Sequence, residues 1–432
     1  MRQSKPARAF LTLLHRWAGL TIAAFIFVSG ITGAVISWDH ELDELLNPHL
    51  TRVQSNGAPL NPLELIGQIE ARHPQIRVVA VPLVIEPGKS FDFGVEPRVD
   101  LSSGKLFEPG FNQVFVDPAT GNEIGEREWG AVWPITRENL ISFLYVLHYS
   151  LHIPEMWGID HWGLWFMGAI AVIWLIDCFV GFYLTLPIRQ AKRAARSKSA
   201  KTRRDKTYWQ RWKPAWKIKT GASAYRINFD VHRASGLWFW LLFFLLALSA
   251  ASLNLDEEVA KPIVKVLSSF TPSPSDLREE QPKEKPIEPK ISFARVTELA
   301  RAEGARRGWA EPAGSINYFT AFGYYSVSFF FPGDDHGAAG VGPRALYFDG
   351  ANGSYLGDRI PWEGTAGDLF LQVQFPLHSG RILGIPGRIL VSFLGLASAA
   401  LAVTGVVIWY RKRRNRVEGR GLGKRKPVAA TN

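Results

Sequence analysis

The sequence predicts an α-helical membrane protein: a four-helix transmembrane bundle produced by an internal duplication, with one α+β domain outside the membrane in each half. Three observations predict this fold class. Four long apolar stretches are present, basic residues are concentrated in the segments that flank them, and the same motifs recur in both halves at nearly constant offsets.

The four apolar stretches are long enough to cross a bilayer as helices. Residues 17–38, 234–255 and 389–410 each run for 22 residues without Asp, Glu, Lys or Arg, and residues 162–186 run for 25 with Asp177 as the single charge. The hydrocarbon core of a bilayer requires about 20 helical residues. The first stretch exceeds the apolar run of a signal peptide and no Ala-x-Ala site follows it, so we expect an uncleaved helix.

The distribution of charge predicts the topology. Residues 1–16 carry four Lys/Arg and no acid, residues 187–226 carry 14 against one acid, and residues 411–432 carry nine against one. Because basic flanks stay on the cytoplasmic side, both termini and the middle loop are predicted to be cytoplasmic. Topology therefore accounts for the net charge of +11, and no nucleic-acid partner is expected.

Two sets of motifs indicate the duplication. His-Arg-Trp-Ala-Gly at residues 15–19 recurs as His-Arg-Ala-Ser-Gly at residues 232–236, an offset of 217. Gly163 and Gly181 in the second apolar stretch recur at an offset of 224 as Gly387, just before the fourth stretch, and Gly405 within it. An ordered set of matches is expected from a duplicated segment and not from chance.

Each outer domain is predicted to begin with an amphipathic helix, at Leu63–Arg72 and Phe293–Arg307, followed by alternating strands and a hairpin with Asp and Gly in its turn. The predicted segments are transmembrane helix 1 at 1–38, outer domain 1 at 39–138, an edge helix with transmembrane helix 2 at 139–187, a basic loop at 188–224, transmembrane helix 3 at 225–255, outer domain 2 at 256–366 with an exposed proline-rich linker at 271–290, an edge helix with transmembrane helix 4 at 367–410, and a basic tail at 411–432.

Histidines occur at the ends of the predicted spans. His15 and His232 lie at the cytoplasmic ends of the first and third spans, whereas His148 and His378 lie just outside the second and fourth. His152 competes with His148 as the match to His378, and it would share a helical face with His148 if the segment is helical. Histidine at a membrane usually faces the bundle interior or a cofactor. A pseudo-twofold packing of the halves would bring His15 to His232, and His148 or His152 to His378.

Two opposed neutral imidazoles are the axial ligands of a low-spin b-type haem, which leaves no coordination site for oxygen and suits electron transfer. The two pairs are therefore candidate axial ligands of b-type haem near each membrane face, with His148 and His152 both open as the partner of His378. Covalent attachment is excluded because Cys178 is the single cysteine. The residues expected to accommodate the macrocycle or its propionates at the cytoplasmic face are Gly19, Gly236, Arg16 and Arg233.

Two further residues have open roles. Asp177, which falls on Leu401 in the other half, is a proton relay, a neighbour of a quinone or a hydrogen-bond partner of an adjacent helix. His336, in the loop Pro-Gly-Asp-Asp-His-Gly, is a substrate contact or an exposed loop residue. Zinc is disfavoured at the histidine pairs because it requires three or four converging ligands.

Several motifs resemble the PepSY-associated transmembrane family: Leu14–Leu20, Thr32-Gly33, Glu41–Pro48, Phe115–Gly121 and Leu147–His152. The resemblance covers nearly the whole chain outside the linker and the tail. It implies a four-helix bundle with two PepSY-like periplasmic domains in a bacterial inner (cytoplasmic) membrane. Members are often iron-regulated, and some are di-haem siderophore reductases. The resemblance thus implies two b-type haems here, with iron bound by His15, His148, His232 and His378.

The predicted function is electron transfer from a quinol or a cytoplasmic donor to a periplasmic acceptor, expected to be a ferric siderophore whose iron is released on reduction. The protein would then be a haem-dependent ferric-siderophore reductase. The cytoplasmic loop has no Gly-x-Gly-x-x-Gly motif, so a bound nicotinamide or flavin is not expected. The alternative is a non-enzymatic regulator or accessory protein whose outer domains bind a peptidase, a peptide or a transporter. Such a protein would not need paired histidines.

Overall fold

The computed structural model describes residues 5–55, 57–188 and 206–422. The chain forms two compact units. The membrane unit, which contains the long apolar helices, is drawn from Met1–Ser37, Leu147–Asp256 and Ile389–Asn432. The sheet unit is drawn from Trp38–Val146 and Glu257–Arg388.

The described residues form helices and strands in a mixed α/β fold. The helices are α1 (Lys5–Ile36), α2 (Asp39–Leu46), α3 (Pro48–Thr51), α4 (Pro62–Arg72), α5 (Leu140–Ser150), α6 (Trp162–Thr185), α7 (Tyr208–Trp212), α8 (Ala224–Trp238), α9 (Trp240–Asn254), α10 (Lys261–Leu267), α11 (Phe293–Arg306), α12 (Ala366–Ser379) and α13 (Ile385–Leu422). The strands are β1 (Ile76–Pro82), β2 (Phe91–Pro97), β3 (Gln113–Val116), β4 (Glu123–Arg127), β5 (Ala313–Phe319), β6 (Tyr324–Phe329), β7 (Arg344–Asp349) and β8 (Tyr355–Arg359).

Among the described residues, three helices are long and apolar enough to cross a membrane: α1, α6 and α13. A fourth crossing is obtained if α8 and α9 together form one span. The helix α13 extends beyond the predicted end of its span at residue 410 and continues to Leu422. This extension is physically reasonable because Arg, Lys and Glu, which dominate the segment, are good helix formers.

The predicted third span is not one straight helix. Its two parts, α8 and α9, meet at Phe239 with a bend of 69°. Ser235 and Gly236 lie just before the bend, and Ser235 Oγ donates a hydrogen bond of 2.7 Å to the Val231 carbonyl. Neighbouring Ser and Gly residues, and serine bonding back to its own helix, are common causes of helix bending. The unbroken apolar run in the sequence does not reveal this bend.

Small residues allow helices of the membrane unit to approach closely. A Cβ atom added to Gly30 of α1 would lie 2.5 Å from the Gly395 carbonyl oxygen in α13, and the reverse substitution would meet the Gly30 carbonyl at 2.5 Å. Ser392 Oγ donates to the Ala34 carbonyl at 3.2 Å in the same contact. Such close approach is typical of helices packed in membranes, where van der Waals contact replaces hydrophobic burial as the driving force.

The sheet unit contains one antiparallel sheet of eight strands in the order β4-β3-β2-β1-β5-β6-β7-β8. The first half of the chain supplies β1–β4 and the second half supplies β5–β8. The two sets meet at β1 and β5, where Val81 pairs with Ile316. The sequence analysis predicted an outer domain in each half, but no break in the sheet marks a boundary between them.

One helix from each half packs on this sheet. Leu65 and Ile69 of α4, and Val296 and Ala300 of α11, are buried in a hydrophobic core that also contains residues of β1 and β5. Each pair is spaced by four residues and therefore lies on one helical face. The helices predicted at Leu63–Arg72 and Phe293–Arg307 are thus confirmed to within one residue at each end.

The predicted hairpins are also confirmed. In the turns of β3–β4 and β7–β8, Asp117 Oδ1 and Asp349 Oδ1 each accept a hydrogen bond from the backbone N–H two residues later, at 2.9 and 2.8 Å. Gly121 and Gly353 complete the turns with φ angles of +71° and +74°, a conformation that favours glycine.

Most of residues 271–290 are exposed, as predicted, but the segment also has local structure and is hydrogen-bonded to the rest of the sheet unit. It contains a short 3₁₀ helix at Pro274–Leu277, and the Gln281 N–H donates to the Ala321 carbonyl at 2.9 Å. Arg278 adds hydrogen bonds to the Phe322 and Gly323 carbonyls at 2.9 Å. Proline removes its own N–H but leaves its neighbours able to bond, so a proline-rich segment can still be held against a sheet.

Candidate functional site

Two histidines that are 217 residues apart in sequence face each other in the membrane unit. His15 lies on α1 and His232 lies on α8. Their ring centroids are 6.2 Å apart and the ring planes are inclined by 55°. The structure therefore brings together the pair that the sequence analysis assigned to the cytoplasmic ends of the first and third spans.

The His15 imidazole is held by a carboxylate. Its Nδ1 lies 2.9 and 3.0 Å from the two oxygens of Asp177 on α6. A carboxylate only accepts, so Nδ1–H donates and the ring keeps its lone pair on Nε2. Of the three roles considered for Asp177, the structure shows the hydrogen bond to an adjacent helix.

The His232 imidazole is held by neutral oxygens of α13. Its Nδ1 lies 3.1 Å from the Leu401 carbonyl and 3.0 Å from Thr404 Oγ1. The carbonyl can only accept, so Nδ1–H donates here too and the lone pair is again on Nε2. Both rings thus have the tautomer that a metal ion bound through Nε2 requires.

A glycine faces each imidazole. A Cβ atom on Gly181 of α6 would lie 3.4 Å from His15 Cε1, and a Cβ atom on Gly405 of α13 would lie 3.1 Å from His232 Cε1. These two glycines match at the offset of 224. Each glycine leaves the space that the imidazole of a neighbouring helix occupies, so the repeated motif has the same steric role in both halves.

The two histidines line a cavity of about 520 Å³. This volume falls within the range of about 300–1,000 Å³ that is usual for cofactor and small-molecule sites. The cavity is mostly apolar but has cationic side chains and glycines in its lining: Arg8, Arg16, Arg233, Lys412, Arg416, Gly19, Gly181, Gly236 and Gly405.

The cations differ in their own contacts. Arg8 Nη1 and Arg16 Nε are buried and have no hydrogen-bond partner among the described residues. Arg233 is instead engaged by Asp230 at 2.7 Å and by the Ala215 carbonyl at 3.1 Å. Arg8 and Arg16 are therefore better placed than Arg233 to bind an anionic group in the cavity.

The arrangement fits a haem. A metal-bound imidazole nitrogen lies about 2.0 Å from the metal, so two trans imidazoles have centroids roughly 6.3 Å apart. The 6.2 Å between His15 and His232 matches that separation. Gly19 and Gly236, which line the cavity, leave room for a flat ring. The unpaired guanidinium nitrogens of Arg8 and Arg16 suit propionate groups.

The remaining predicted ligands lie elsewhere. His148 is on α5, where its Nδ1 is 3.1 Å from Thr32 Oγ1 of α1, and a Cβ atom on Gly33 would lie 2.8 Å from its Cε1. His378 is on α12, in the sheet unit, so its predicted pairing stays a prediction. His152 follows the end of α5 with a φ angle of +53°, and it does not share a helical face with His148.

Sequence reasoning did not assign Arg8 to the cavity and did not connect Asp177 with His15. Arg8 lies seven residues before His15 and Asp177 lies four residues before Gly181. Helical periodicity places the members of each pair on one face of their helix, so this signal was present. It was not decisive because basic residues also occur at this membrane edge for topological reasons.

Comparison with known proteins identifies the family. No curated protein matches the chain significantly. A sequence model of the family described as "PepSY-associated TM region" matches residues 12–412, nearly the whole chain. Together with the apolar helices, this match makes the chain a multi-pass membrane protein. The protein belongs to the family of PepSY-associated transmembrane regions.

Proposed function

We propose that this protein is a di-haem b-type electron-transfer protein of the bacterial inner membrane, with both termini cytoplasmic, that reduces ferric siderophores in the periplasm. One observation carries the proposal: two opposed imidazoles, 6.2 Å apart between ring centroids, both with the lone pair on Nε2. Each imidazole is held through Nδ1 by a different helix while both rings line the same cavity, an arrangement that axial ligands of a haem require.

The chain's own groups would set the properties of the proposed site. Asp177 and the Leu401 carbonyl each hold one imidazole through Nδ1, which fixes the ring orientation before a ligand binds. Arg8 and Arg16 supply unpaired donors for carboxylates. A haem with two histidine ligands exchanges one electron and has no open position for oxygen, which suits transfer and disfavours oxygenation.

The second haem is proposed at the other membrane face, with His148 and His378 as ligands. His148 supports this proposal because its environment repeats features of the first site. Thr32 Oγ1 donates to the Val28 carbonyl at 2.8 Å and therefore accepts from His148 Nδ1–H, and Gly33 faces the ring as Gly181 faces His15.

The proposed substrate follows from coordination chemistry. Hard oxygen ligands hold Fe(III) tightly and Fe(II) weakly, so uptake of one electron by the bound iron is enough to release it. The electron would come from a quinol or a cytoplasmic protein, which loses one electron for each Fe(III) reduced. Lipid of the membrane, the donor and the ferric complex are then the expected partners.

Purified protein produced with sufficient haem supply tests the proposal. We expect two haems per chain by haem extraction, with a reducible absorption spectrum of the bis-histidine type. His15→Ala and His232→Ala should each lose the same one haem, since both remove a ligand of one site. His161→Ala is a matched control, because His161 immediately precedes α6 and does not line the cavity.

Other results would contradict the proposal. A well-folded protein without haem would reject it and favour the regulator or accessory role. Loss of haem in His15→Ala but full retention in His232→Ala would reject the pairing. For the substrate, reduced protein should be reoxidised by a ferric hydroxamate or catecholate complex with release of Fe(II), measured with a ferrous chelator, and absence of reoxidation would reject siderophore reduction.

A further inference from the structure

A second group of histidines lies in the sheet unit. His40 is the second residue of α2, and His336 lies in the loop between β6 and β7 with Asp335 beside it. The ring centroids of His40 and His336 are 4.6 Å apart. One ligand atom from each of the three side chains lies within 4.8 Å of the other two.

The loop presents His336 in a defined orientation. Its Nδ1 lies 2.8 Å from Asp335 Oδ1, a separation close to that of two ligand atoms on one metal ion. The loop is closed by backbone bonds, from the Gly342 N–H to the His336 carbonyl at 2.8 Å and from the Gly337 N–H to the Asp334 carbonyl at 3.2 Å. The loop conformation therefore does not depend on the imidazole.

The local charge favours a cation. Asp335 brings a carboxylate to the cluster, which is both a metal-ligand group and a source of negative charge. Asp39 Oδ2 lies 3.9 Å from His40 Nε2, and Arg381 binds the other Asp39 oxygen at 3.3 Å from outside the cluster. Two carboxylates, Asp39 and Asp335, thus border the two imidazoles, and Arg381 pairs with only the first of these carboxylates.

Neither histidine belongs to the repeated pattern. At the offset of 217, His40 falls on Glu257, and the loop that carries His336 has no counterpart in the first half. The cluster combines a residue from the first half of the chain with two from the second. The cluster therefore shares no residue with the histidine pairs proposed to bind haem.

We propose that His40, Asp335 and His336 bind a divalent first-row transition-metal ion. Two imidazoles with one carboxylate suit Fe(II), Co(II), Ni(II) and Zn(II), and three protein ligands leave positions open for water or a second ligand. Ligand atoms around one such ion are roughly 3 Å apart. His40 and Asp335 are exposed, so small side-chain movements bring the three groups from 4.8 Å to that distance.

Metal binding to the full-length protein in detergent tests this site independently of haem. Metal-depleted protein is dialysed against Co(II), and bound cobalt is counted by elemental analysis, which distinguishes it from haem iron. We expect one cobalt per chain in the wild type, and affinity at least about tenfold weaker in His336→Ala and in His40→Ala. Asp335→Asn should bind cobalt with an affinity between that of the wild type and those of the two histidine variants, because the amide oxygen can still orient His336.

His49→Ala is the matched control, since His49 is an exposed histidine of the same unit that pairs with Glu138. It should bind cobalt as the wild type does. Haem content should be unchanged in all four variants, so failure of the metal site and failure of the haem proposal give different results. Unaltered cobalt affinity in both His336→Ala and His40→Ala, with unchanged thermal unfolding, would overturn the proposal.

Discussion

His15 and His232 occupy equivalent positions in the two halves, yet their imidazoles are held by different groups. Asp177 accepts the Nδ1–H of His15 through its side chain. The position that matches Asp177 at the offset of 224 is Leu401, and its backbone carbonyl accepts the Nδ1–H of His232. The two halves therefore use the same helical position for the same hydrogen bond, but only one of them places a charge there.

This difference separates the steric and electrostatic parts of the site. Gly181 and Gly405 leave the same space for the two rings, so the steric frame is repeated. A carboxylate makes its imidazole a stronger electron donor than a carbonyl does. A charge inside a membrane protein is costly, so one carboxylate at the pair is less costly than two. The proposed haem would therefore have two histidine ligands of unequal basicity.

The largest effect is expected from filling the space in front of one ring. Gly405→Leu would place its side chain where His232 lies, because even a Cβ atom there is 3.1 Å from Cε1. We expect loss of the haem bound by this pair. Gly405→Ala should lower the free energy of unfolding more than Gly181→Ala, where the distance is 3.4 Å. Thermal unfolding and haem content measure both effects, and full haem occupancy in Gly405→Leu would contradict the steric role.

A smaller effect is expected from removing the charge that distinguishes the two rings. Asp177→Asn keeps an acceptor for His15 but loses the carboxylate, so we expect haem affinity to fall by about tenfold and the midpoint potential to rise. Thr404→Val is the control for the other ring, since the Leu401 carbonyl still accepts from His232. A redox titration monitored by absorption distinguishes Asp177→Asn from Thr404→Val. An equal rise in potential for both variants would show that the carboxylate has no special role.

The smallest effect is expected from the arginines at the cavity. Arg16→Gln should weaken haem binding roughly threefold and leave the haem-free protein as stable as before, because Arg16 Nε has no partner among the described residues. Arg233→Gln should instead lower the free energy of unfolding by about 1 kcal/mol, since it removes a partner of the buried Asp230. Haem titration of both variants, with unfolding of the haem-free forms, tests this contrast. The contrast would be contradicted if Arg16→Gln lowered the free energy of unfolding of the haem-free protein more than Arg233→Gln.

The sequence predicted those features that depend on local pattern. Long apolar runs predicted the spans, and periodicity predicted α4 and α11 to within a residue. The facing of His15 and His232 was predicted because the repeat relates the two helices. Each of these predictions needed only residues close in sequence, or a symmetry that the sequence itself displays.

Features that depend on unrelated distant residues were not predicted. Strand alternation shows which face of β1 is buried but not that its partner is β5, so the joining of the strands of both halves into one sheet was not predicted. The hydrogen bond between Asp177 and His15 joins helices whose rotation about their axes is set by packing. His40 and His336 come together only after the loop between β6 and β7 has folded, and no spacing rule connects them.

The pairing of β1 with β5 also determines what happens if the halves are separated. Each half alone would end its sheet in an unpaired strand with exposed backbone N–H and carbonyl groups, and such edges associate readily with other strands. In the intact protein the two edges cover each other, through pairs such as Val81 with Ile316. Two half-length chains produced together would therefore have a built-in means of recognising each other, whereas either one produced alone would be prone to self-association.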